Sequence, residues 1–148
     1  KNNYEPIINN MKKIIILLFL TNLCHSGIAQ FIQEYKTKTS SNSRDRSMML
    51  DILRANLYQE FEQELVFVVN HFKVGNNYAW FMGNAQRKDG QEIMFPDDYY
   101  DCCHVEALFR KSNGKWYLVK SGAFSTDVWY DGIWEDYEDA PREIFFSY

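Results

Sequence analysis

The chain has 148 residues, of which 46% are hydrophobic and 17% aromatic, and its formal net charge is −4. So many aromatic side chains can bury a large apolar area, which excludes an intrinsically disordered protein. The acidic balance disfavours nucleic acid as a partner, because phosphate backbones are bound by clusters of Lys and Arg.

The N-terminal region predicts an export signal. A basic stretch, Met11-Lys12-Lys13, precedes seven consecutive apolar residues at 14–20, and Gly27-Ile28-Ala29 places small residues at the −3 and −1 positions before Gln30. This order is typical of a secretory signal peptide. The apolar run is shorter than the roughly 20 residues that span a bilayer, so we expect no integral membrane segment in the mature chain. The mature protein is predicted to begin at Gln30 and to be periplasmic or extracellular.

We predict a single mature domain preceded by a short arm. Removing the first 29 of the 148 residues takes away three basic residues and one acidic residue, which leaves 119 residues with 13 basic and 19 acidic side chains. A chain of this length can bury a core without disulfides or metals. The predicted division is upstream leader or vector-derived residues at 1–10, a signal peptide at 11–29, a flexible polar arm at 30–44 and one domain at 45–148.

A helix and a hairpin open the predicted domain. The helix is expected from about Arg46 to Gln63 with Asp45 as its N-cap, because apolar residues recur at steps of three and four. These are Met49, Leu50, Leu53, Leu57 and Phe61. Strands at 65–74 and 78–85 follow, joined by a turn at 75–77 with the sequence Gly-Asn-Asn.

A second hairpin and a shorter helix complete the domain. Strands are predicted at 103–111 and 115–121, and the Asn-Gly pair between them favours a two-residue turn in which both residues have positive φ. Ser125-Thr126-Asp127 is predicted to cap a second helix that ends before Pro141. A short extended tail is expected at 143–148.

The order helix, hairpin, hairpin, helix predicts an α+β fold, with one long helix packed on a four-stranded antiparallel sheet and a second short C-terminal helix. In outline this arrangement resembles cystatin-like and nuclear-transport-factor-like folds. The residues expected to share one core are Leu53, Leu57, Phe67, Val69, Trp80, Phe109 and Trp116.

Eight short segments follow one another along the predicted mature chain: Arg46 with Leu50-Asp51-Ile52-Leu53-Arg54, Phe67-Val68-Val69, Tyr78-Ala79-Trp80-Phe81, Asp89-Gly90, Ala107-Leu108-Phe109-Arg110-Lys111, Gly114-Lys115-Trp116, Thr126-Asp127-Val128 and Ala140-Pro141-Arg142. Together they resemble an uncharacterised family of small exported bacterial proteins. The resemblance covers nearly all of the mature chain, and the order of its motifs is more specific than any one of them. It implies export and a compact single domain, and the family has no known activity to carry over. The chain departs from the family at 101–103, Asp-Cys-Cys, where the family tends to have Asp and Gly.

Cys102-Cys103-His104 is the stretch that most resembles a chemical site. It lacks the further ligands of a zinc site, and adjacent strand residues point to opposite faces, which disfavours a Cys–His nucleophile pair. The same geometry disfavours a vicinal disulfide between the two cysteines. We therefore interpret them as small, partly buried residues; a redox or metal role and an intermolecular disulfide are the alternatives.

No metal, cofactor or catalytic group is predicted. The acidic loop with Asp97, Asp98 and Asp101 lacks the EF-hand pattern, so it is interpreted as a solvated loop, with calcium binding as the alternative. Paired carboxylates for glycoside hydrolysis are left open, because the sequence does not place two of them at a catalytic separation.

Six residues are ligand-binding candidates, each with a structural alternative. The arginine can anchor an anion or join a helix-surface ion pair, and the histidine can be a base or a core residue. The tryptophans can form a ligand platform or fill the core, and the aspartate can bind or favour a helix N-terminus. The candidates are Arg54, His71, Trp80, Trp116, Asp127 and Trp129.

The preferred functional prediction is a non-enzymatic exported domain that binds a protein or a cell-envelope component. It rests on the export signal, the small size, the aromatic and acidic composition and the lack of a catalytic motif. The alternative is a small-molecule-binding or enzymatic α+β cup that uses the cleft between helix and sheet. A pocket above about 300 Å³ with converging polar groups would favour the alternative.

Overall fold

The α+β fold is confirmed in a computed structural model, which describes residues 31–146. One long helix, α1 (Ser43–Phe61), precedes four long strands: β2 (Leu65–Gly75), β3 (Tyr78–Arg87), β4 (His104–Ser112) and β5 (Lys115–Ala123). Both predicted hairpin turns are present. The residues at these turns have the positive φ angles expected of them, at Asn76 and Asn77 and again at Asn113 and Gly114.

The helix begins earlier than its pattern predicts. Asn42 occupies the N-cap position, and its side chain binds the preceding loop, accepting from the Thr39 N–H at 2.8 Å and donating to the Thr37 carbonyl at 2.9 Å. The assignment of Asp45 as N-cap is therefore wrong. Asp45 lies in the first turn, where it forms a 2.6 Å ion pair with Lys111 of β4, a contact between distant segments that local sequence does not reveal.

The sheet has five strands rather than the predicted four. A two-residue strand, β1 (Gln33–Glu34), pairs antiparallel with the end of β2, and the strand order is β1-β2-β3-β4-β5. Tyr35 follows β1 and is buried in the core. The segment 30–44 was predicted to be a flexible arm, but the structure joins residues 33–35 to the sheet, because a buried aromatic ring and strand pairing hold them there.

Helix α1 packs on one face of the sheet, which we call the helix face. Its core is apolar, and it contains four of the seven predicted core residues, Leu53, Leu57, Phe109 and Trp116. Phe67 and Val69 pack against this core but are only partly buried. Burial of such side chains is the main stabilising contribution to a domain of this size.

The opposite face of the sheet, which we call the second face, has its own core. Trp80 is 1% exposed there and packs against Trp129, Tyr130 and Phe145. The prediction that Trp80 joins the helix-face core is therefore wrong. Successive strand residues point to opposite faces, so Phe81 faces the helix and Trp80 faces away from it.

The C-terminal segment, residues 125–146, covers the second face. Its only α-helix within the described residues is α2 (Ile133–Asp136), which follows Gly132 at a φ of 72°. The predicted cap at 125–127 is therefore wrong, because the chain turns irregularly until that glycine. A 3₁₀ turn at Arg142–Ile144 replaces the start of the predicted extended tail, and residues 147–148 lie outside the described part. Within residues 31–146, no helix combines the length and apolar character that a bilayer crossing requires.

Candidate functional site: a polar pocket on the second face

One row of side chains crosses the second face from strand to strand. His71 of β2 pairs with Met82 of β3, Met82 pairs with Glu106 of β4, and Glu106 pairs with Gly122 of β5. A β-bulge at residues 69–71 sets the register that puts His71 in this row. A pocket of about 300 Å³ opens beside the row. It is lined by Asn70, His71, Met82, Gly83, Asn84, His104, Glu106 and Tyr130.

Glu106 is the buried acid of this pocket, with only 2% of its surface exposed. Its Oε1 lies 3.0 Å from Nδ1 of His104, while its Oε2 is buried without a hydrogen-bond partner among the described residues. Burial raises the pKa of Glu106, and the hydrogen bond and charge of His104 only partly oppose that rise. A buried carboxylate oxygen without a partner is costly, so this site has unused capacity to accept a hydrogen bond.

His104 is held between two oxygens. Its Nδ1 faces Glu106 and its Nε2 lies 2.7 Å from the carbonyl oxygen of Ser125. Burial lowers the pKa of His104, but the bond to Glu106, the charge of Glu106 and smaller contributions from Ser125 and Asp101 outweigh burial, so the net pKa is raised.

The hydrogen-bond geometry places one shared proton between Nδ1 of His104 and Oε1 of Glu106. A carbonyl oxygen only accepts, so Nε2 of His104 must donate to Ser125. Nδ1 then either donates to an ionised Glu106 or accepts from a protonated one. In both arrangements the pair shares one proton, which agrees with the raised pKa of both groups.

Trp129 and Tyr130 form the outer wall of the site. The indole of Trp129 packs directly on Gly122, where a Cβ atom would collide with Nε1. This N–H is near enough to Glu106 to oppose the rise in its pKa, yet it has no hydrogen bond of normal geometry within the described chain. Burial, together with the charges of Glu106 and Asp131, raises the pKa of Tyr130.

His71 lies at the other end of the row. It is 6% exposed, and its Nε2 lies 2.5 Å from the carbonyl oxygen of Ile144 in the C-terminal segment. Burial lowers the pKa of His71. The pKa values of the two histidines of this pocket are thus shifted in opposite directions, because Glu106 outweighs burial at His104, whereas burial dominates at His71.

The structure brings three of the six predicted site residues together. His71 lines the pocket, Trp129 packs on Gly122 beside Glu106, and Trp80 supports Trp129 from below. The exposed Asp127 lies in the irregular segment before α2, where its N–H binds the Ser125 hydroxyl at 3.1 Å.

Arg54 and Trp116 lie on the other side of the sheet. Arg54 forms a 2.5 Å ion pair with Asp51 and covers the ring of Phe67. Trp116 is buried in the helix-face core, with Nζ of Lys111 5.3 Å from its ring centre. The ion pair agrees with the structural alternative for Arg54.

The cleft between helix and sheet is filled with side chains, and an open groove of about 690 Å³ runs along the edge of α1. The charged groups there already have partners: Arg54 binds Asp51, and Lys88 binds Glu64 at 2.9 Å. The groove therefore lacks the buried, unpaired polar group that the second-face pocket contains.

Cys102 and Cys103 are joined by a disulfide across a cis peptide bond, with Cα atoms 3.1 Å apart. The interpretation of two unlinked residues is wrong in this respect. Cys103 packs against the helix-face core, whereas the neighbouring His104 ring belongs to the second face. The two parts of the Cys-Cys-His stretch thus lie in different environments.

No group of three or more metal-ligating side chains is close enough to hold a metal ion within residues 31–146. In the acidic loop, Asp97 accepts a hydrogen bond from the Tyr99 N–H at 2.9 Å, and both residues are exposed. This contact is local to the loop and agrees with the interpretation of a solvated turn.

Sequence reasoning missed His104 as a partner of Glu106, and it missed Tyr130 as part of the wall. The available signal was the alternation along β4, where Val105, Ala107 and Phe109 mark one face and leave His104 and Glu106 on the other. That pattern also fits a solvent-exposed face, and only the covering C-terminal segment makes it a buried site.

Comparisons with protein-family models, with curated proteins and with solved structures find no match to this chain. The resemblance to a family of small exported bacterial proteins therefore stays a prediction.

Proposed function

We propose that this protein is an exported, non-enzymatic binding domain that recognises a protein or a cell-envelope component through the second-face pocket. The observation that carries the proposal is the convergence of polar side chains from three strands on the buried carboxylate of Glu106, whose Oε2 is unpaired among the described residues. A partner that donates a hydrogen bond to this oxygen would satisfy it.

The hydrogen bonds of His104 support binding rather than catalysis. A general base needs a nitrogen within reach of a substrate proton. Both ring nitrogens of His104 already face protein oxygens, and Nε2 of His71 faces the Ile144 carbonyl. The histidines therefore serve better to shape and polarise the pocket than to move protons.

The enzymatic or small-molecule alternative keeps one supporting observation. The pocket has about the volume at which small-molecule sites begin, and it contains a His–Glu pair with shifted pKa values. If the alternative is correct, its site is this pocket on the second face and not the filled cleft between helix and sheet.

Two further proposals concern location and fold. The basic stretch, apolar run and small residues before Gln30 support export, and N-terminal sequencing of the protein from a cell-envelope fraction should begin at Gln30. A long helix packed across one face of an antiparallel sheet supports an outline likeness to cystatin-like and nuclear-transport-factor-like folds.

Chemical-shift mapping tests the proposed site. The ¹⁵N-labelled protein is titrated with fractions of the soluble and detergent-solubilised cell envelope. A fraction that contains the partner should shift the amide resonances of residues 70–71, 82–84 and 104–106. Glu106→Gln should weaken these shifts, because an amide replaces the buried carboxylate.

Glu64→Gln is the matched control. Glu64 lies in the groove along α1, so this substitution removes the same charge at a place away from the pocket. It should leave the response intact. Shifts that map to the groove, or a response equally sensitive to both substitutions, would contradict the proposed site.

A further inference from the structure

We propose that the ligand group taken by the second-face pocket is a primary ammonium, presented by a lysine side chain of a partner protein. This inference rests on the proposed function and specifies its chemistry. It follows from which hydrogen-bonding groups line the pocket, from its size and from the charge around it.

The lining offers acceptors and aromatic surface but no free cation. Asn70, Asn84 and Tyr130 provide acceptor oxygens, and no Lys or Arg is among the lining residues. Oε2 of Glu106 is buried and has no hydrogen bond of normal geometry within the described chain. Both ring nitrogens of His104 already face oxygens, so neither is available to an anion. When the shared proton is on His104, Glu106 is ionised, and an ammonium group with three donors and a full charge matches this carboxylate and the acceptors around it.

The segment that supplies Tyr130 to the pocket wall is acidic, with seven carboxylates and one arginine from Asp127 to Tyr148. Charges of both signs act on the pocket itself. Asp101 acts on His104 and Asp131 acts on Tyr130, whereas two lysines, Lys36 and Lys73, act on His71, and Lys120 lies over the ring of Trp129. The net charge of the acidic segment attracts a cation. Aromatic rings add a further attraction for ammonium groups.

Size and charge favour a protein lysine over a lipid headgroup. About 300 Å³ accommodates the end of one side chain rather than a folded segment. An ethanolamine lipid also carries a primary ammonium, but membranes that contain it commonly expose anionic lipids, which the acidic segment would repel. A basic protein surface meets no such repulsion.

The test uses a capped tripeptide with one central lysine and the same peptide with an acetylated Nε. Titrated into the ¹⁵N-labelled protein, the lysine peptide should give saturable shifts at residues 70–71, 82–84 and 104–106, and acetylation should abolish them. Glu106→Gln should lower the affinity about tenfold or more, because it removes the charged acceptor. Glu60→Gln, an equal charge change at an exposed site of α1 on the other side of the sheet, should alter it less than about threefold.

Asn84→Ala is a second test that does not depend on the folding of the Glu106 variant. Asn84 is exposed at the pocket rim, so its replacement should weaken binding without loss of the fold. Equal binding of the acetylated peptide, or no saturable shift up to the solubility limit, would overturn the ammonium proposal. Stronger binding to phosphatidylethanolamine vesicles than to the peptide would assign the pocket to lipid. If an envelope fraction still shifts the resonances of the pocket residues in any of these cases, the proposed function is supported even though the ammonium proposal has failed.

Discussion

The two faces of the sheet are covered in different ways. On the helix face, α1 packs a continuous apolar core around Leu53, Phe72 and Phe81, each 0% exposed. On the second face, an irregular C-terminal segment packs an aromatic cluster and also encloses Glu106 and His71. Burial raises the pKa of Glu106, and it opposes the rise in the pKa of His104 that Glu106 causes.

Stability alone explains the composition of the helix face, but it does not explain that of the second face. A buried carboxylate with an unpaired oxygen lowers the stability of the fold relative to an apolar side chain. Among the described residues, the buried polar atom without a hydrogen-bond partner on the helix face is the indole Nε1 of Trp116, which carries no charge. The second face is therefore where we expect function, whereas the helix face supplies the rigid support.

The largest expected effect is a large-to-small substitution in the helix-face core. Leu53→Ala should lower the free energy of unfolding by about 2–5 kcal/mol, because it removes buried methyl groups and leaves a cavity. Leu108→Ala makes the same change at a 0% exposed position of the second face. Both should show clear losses in thermal and urea unfolding, and a shift below about 2 °C for either one would mean that its face is not packed as described.

A smaller effect is expected where the C-terminal segment meets the sheet. Gly122→Ala places a Cβ against the indole of Trp129, so it should cost about 1–3 kcal/mol and change the tryptophan fluorescence. The double-mutant cycle with Trp129→Ala isolates this contact. Once the indole is absent, Gly122→Ala should cost much less; an unchanged cost would show that Trp129 does not lie over Gly122.

Replacing both cysteines by serine should have a modest effect. Cys102 and Cys103 are adjacent, so their disulfide closes no chain loop that would restrict the unfolded state. We expect a loss of no more than about 1–2 kcal/mol, the range for changing a small, partly buried side chain. Loss of folding in the double variant, or a large drop when the parent is reduced, would give the pair a structural role.

The smallest effect is a pH dependence that distinguishes the two histidines. The folded pKa of His104 is raised, so its stabilising contribution is complete below the usual histidine pKa of 6.5 and is lost as the pH rises through the folded pKa. The folded pKa of His71 is lowered, so its contribution is present above 6.5 and is lost as the pH falls through the folded pKa.

The pH dependence of the free energy of unfolding, measured with urea between pH 5 and 9, should therefore change in opposite directions in two variants. His104→Gln should reduce the loss of stability toward high pH, and His71→Gln should reduce the loss toward low pH. Parallel pH profiles for the two variants and the parent would contradict the opposite shifts.

The sequence was sufficient for the elements that local patterns encode. The apolar stripe of α1 and the turns at Asn76-Asn77 and Asn113-Gly114 are local features, and each appears where predicted. Trp80 was assigned to the wrong core because its aromatic character predicts burial but not which face buries it. Register and alternation decide that, and they place Trp80 opposite Leu108.

The site was less predictable because its parts are distant in sequence. His71, Glu106 and Tyr130 lie on three separate segments, and only the pairing of β2, β3 and β4 and the return of the C-terminal segment unite them. The irregular path of that segment, with helix only at Ile133–Asp136, has no regular periodicity that a sequence pattern can reveal.

The most direct test of this account is an NMR titration of the two imidazole rings in the same sample. We expect His104 to titrate above the usual histidine pKa of 6.5 and His71 below it, because Glu106 stabilises the cation of His104, whereas burial dominates at His71. In Glu106→Gln, the pKa of His104 should fall while that of His71 changes little. Two histidines that titrate together near 6.5, and are unchanged by Glu106→Gln, would contradict a buried His–Glu pair at the centre of the second face.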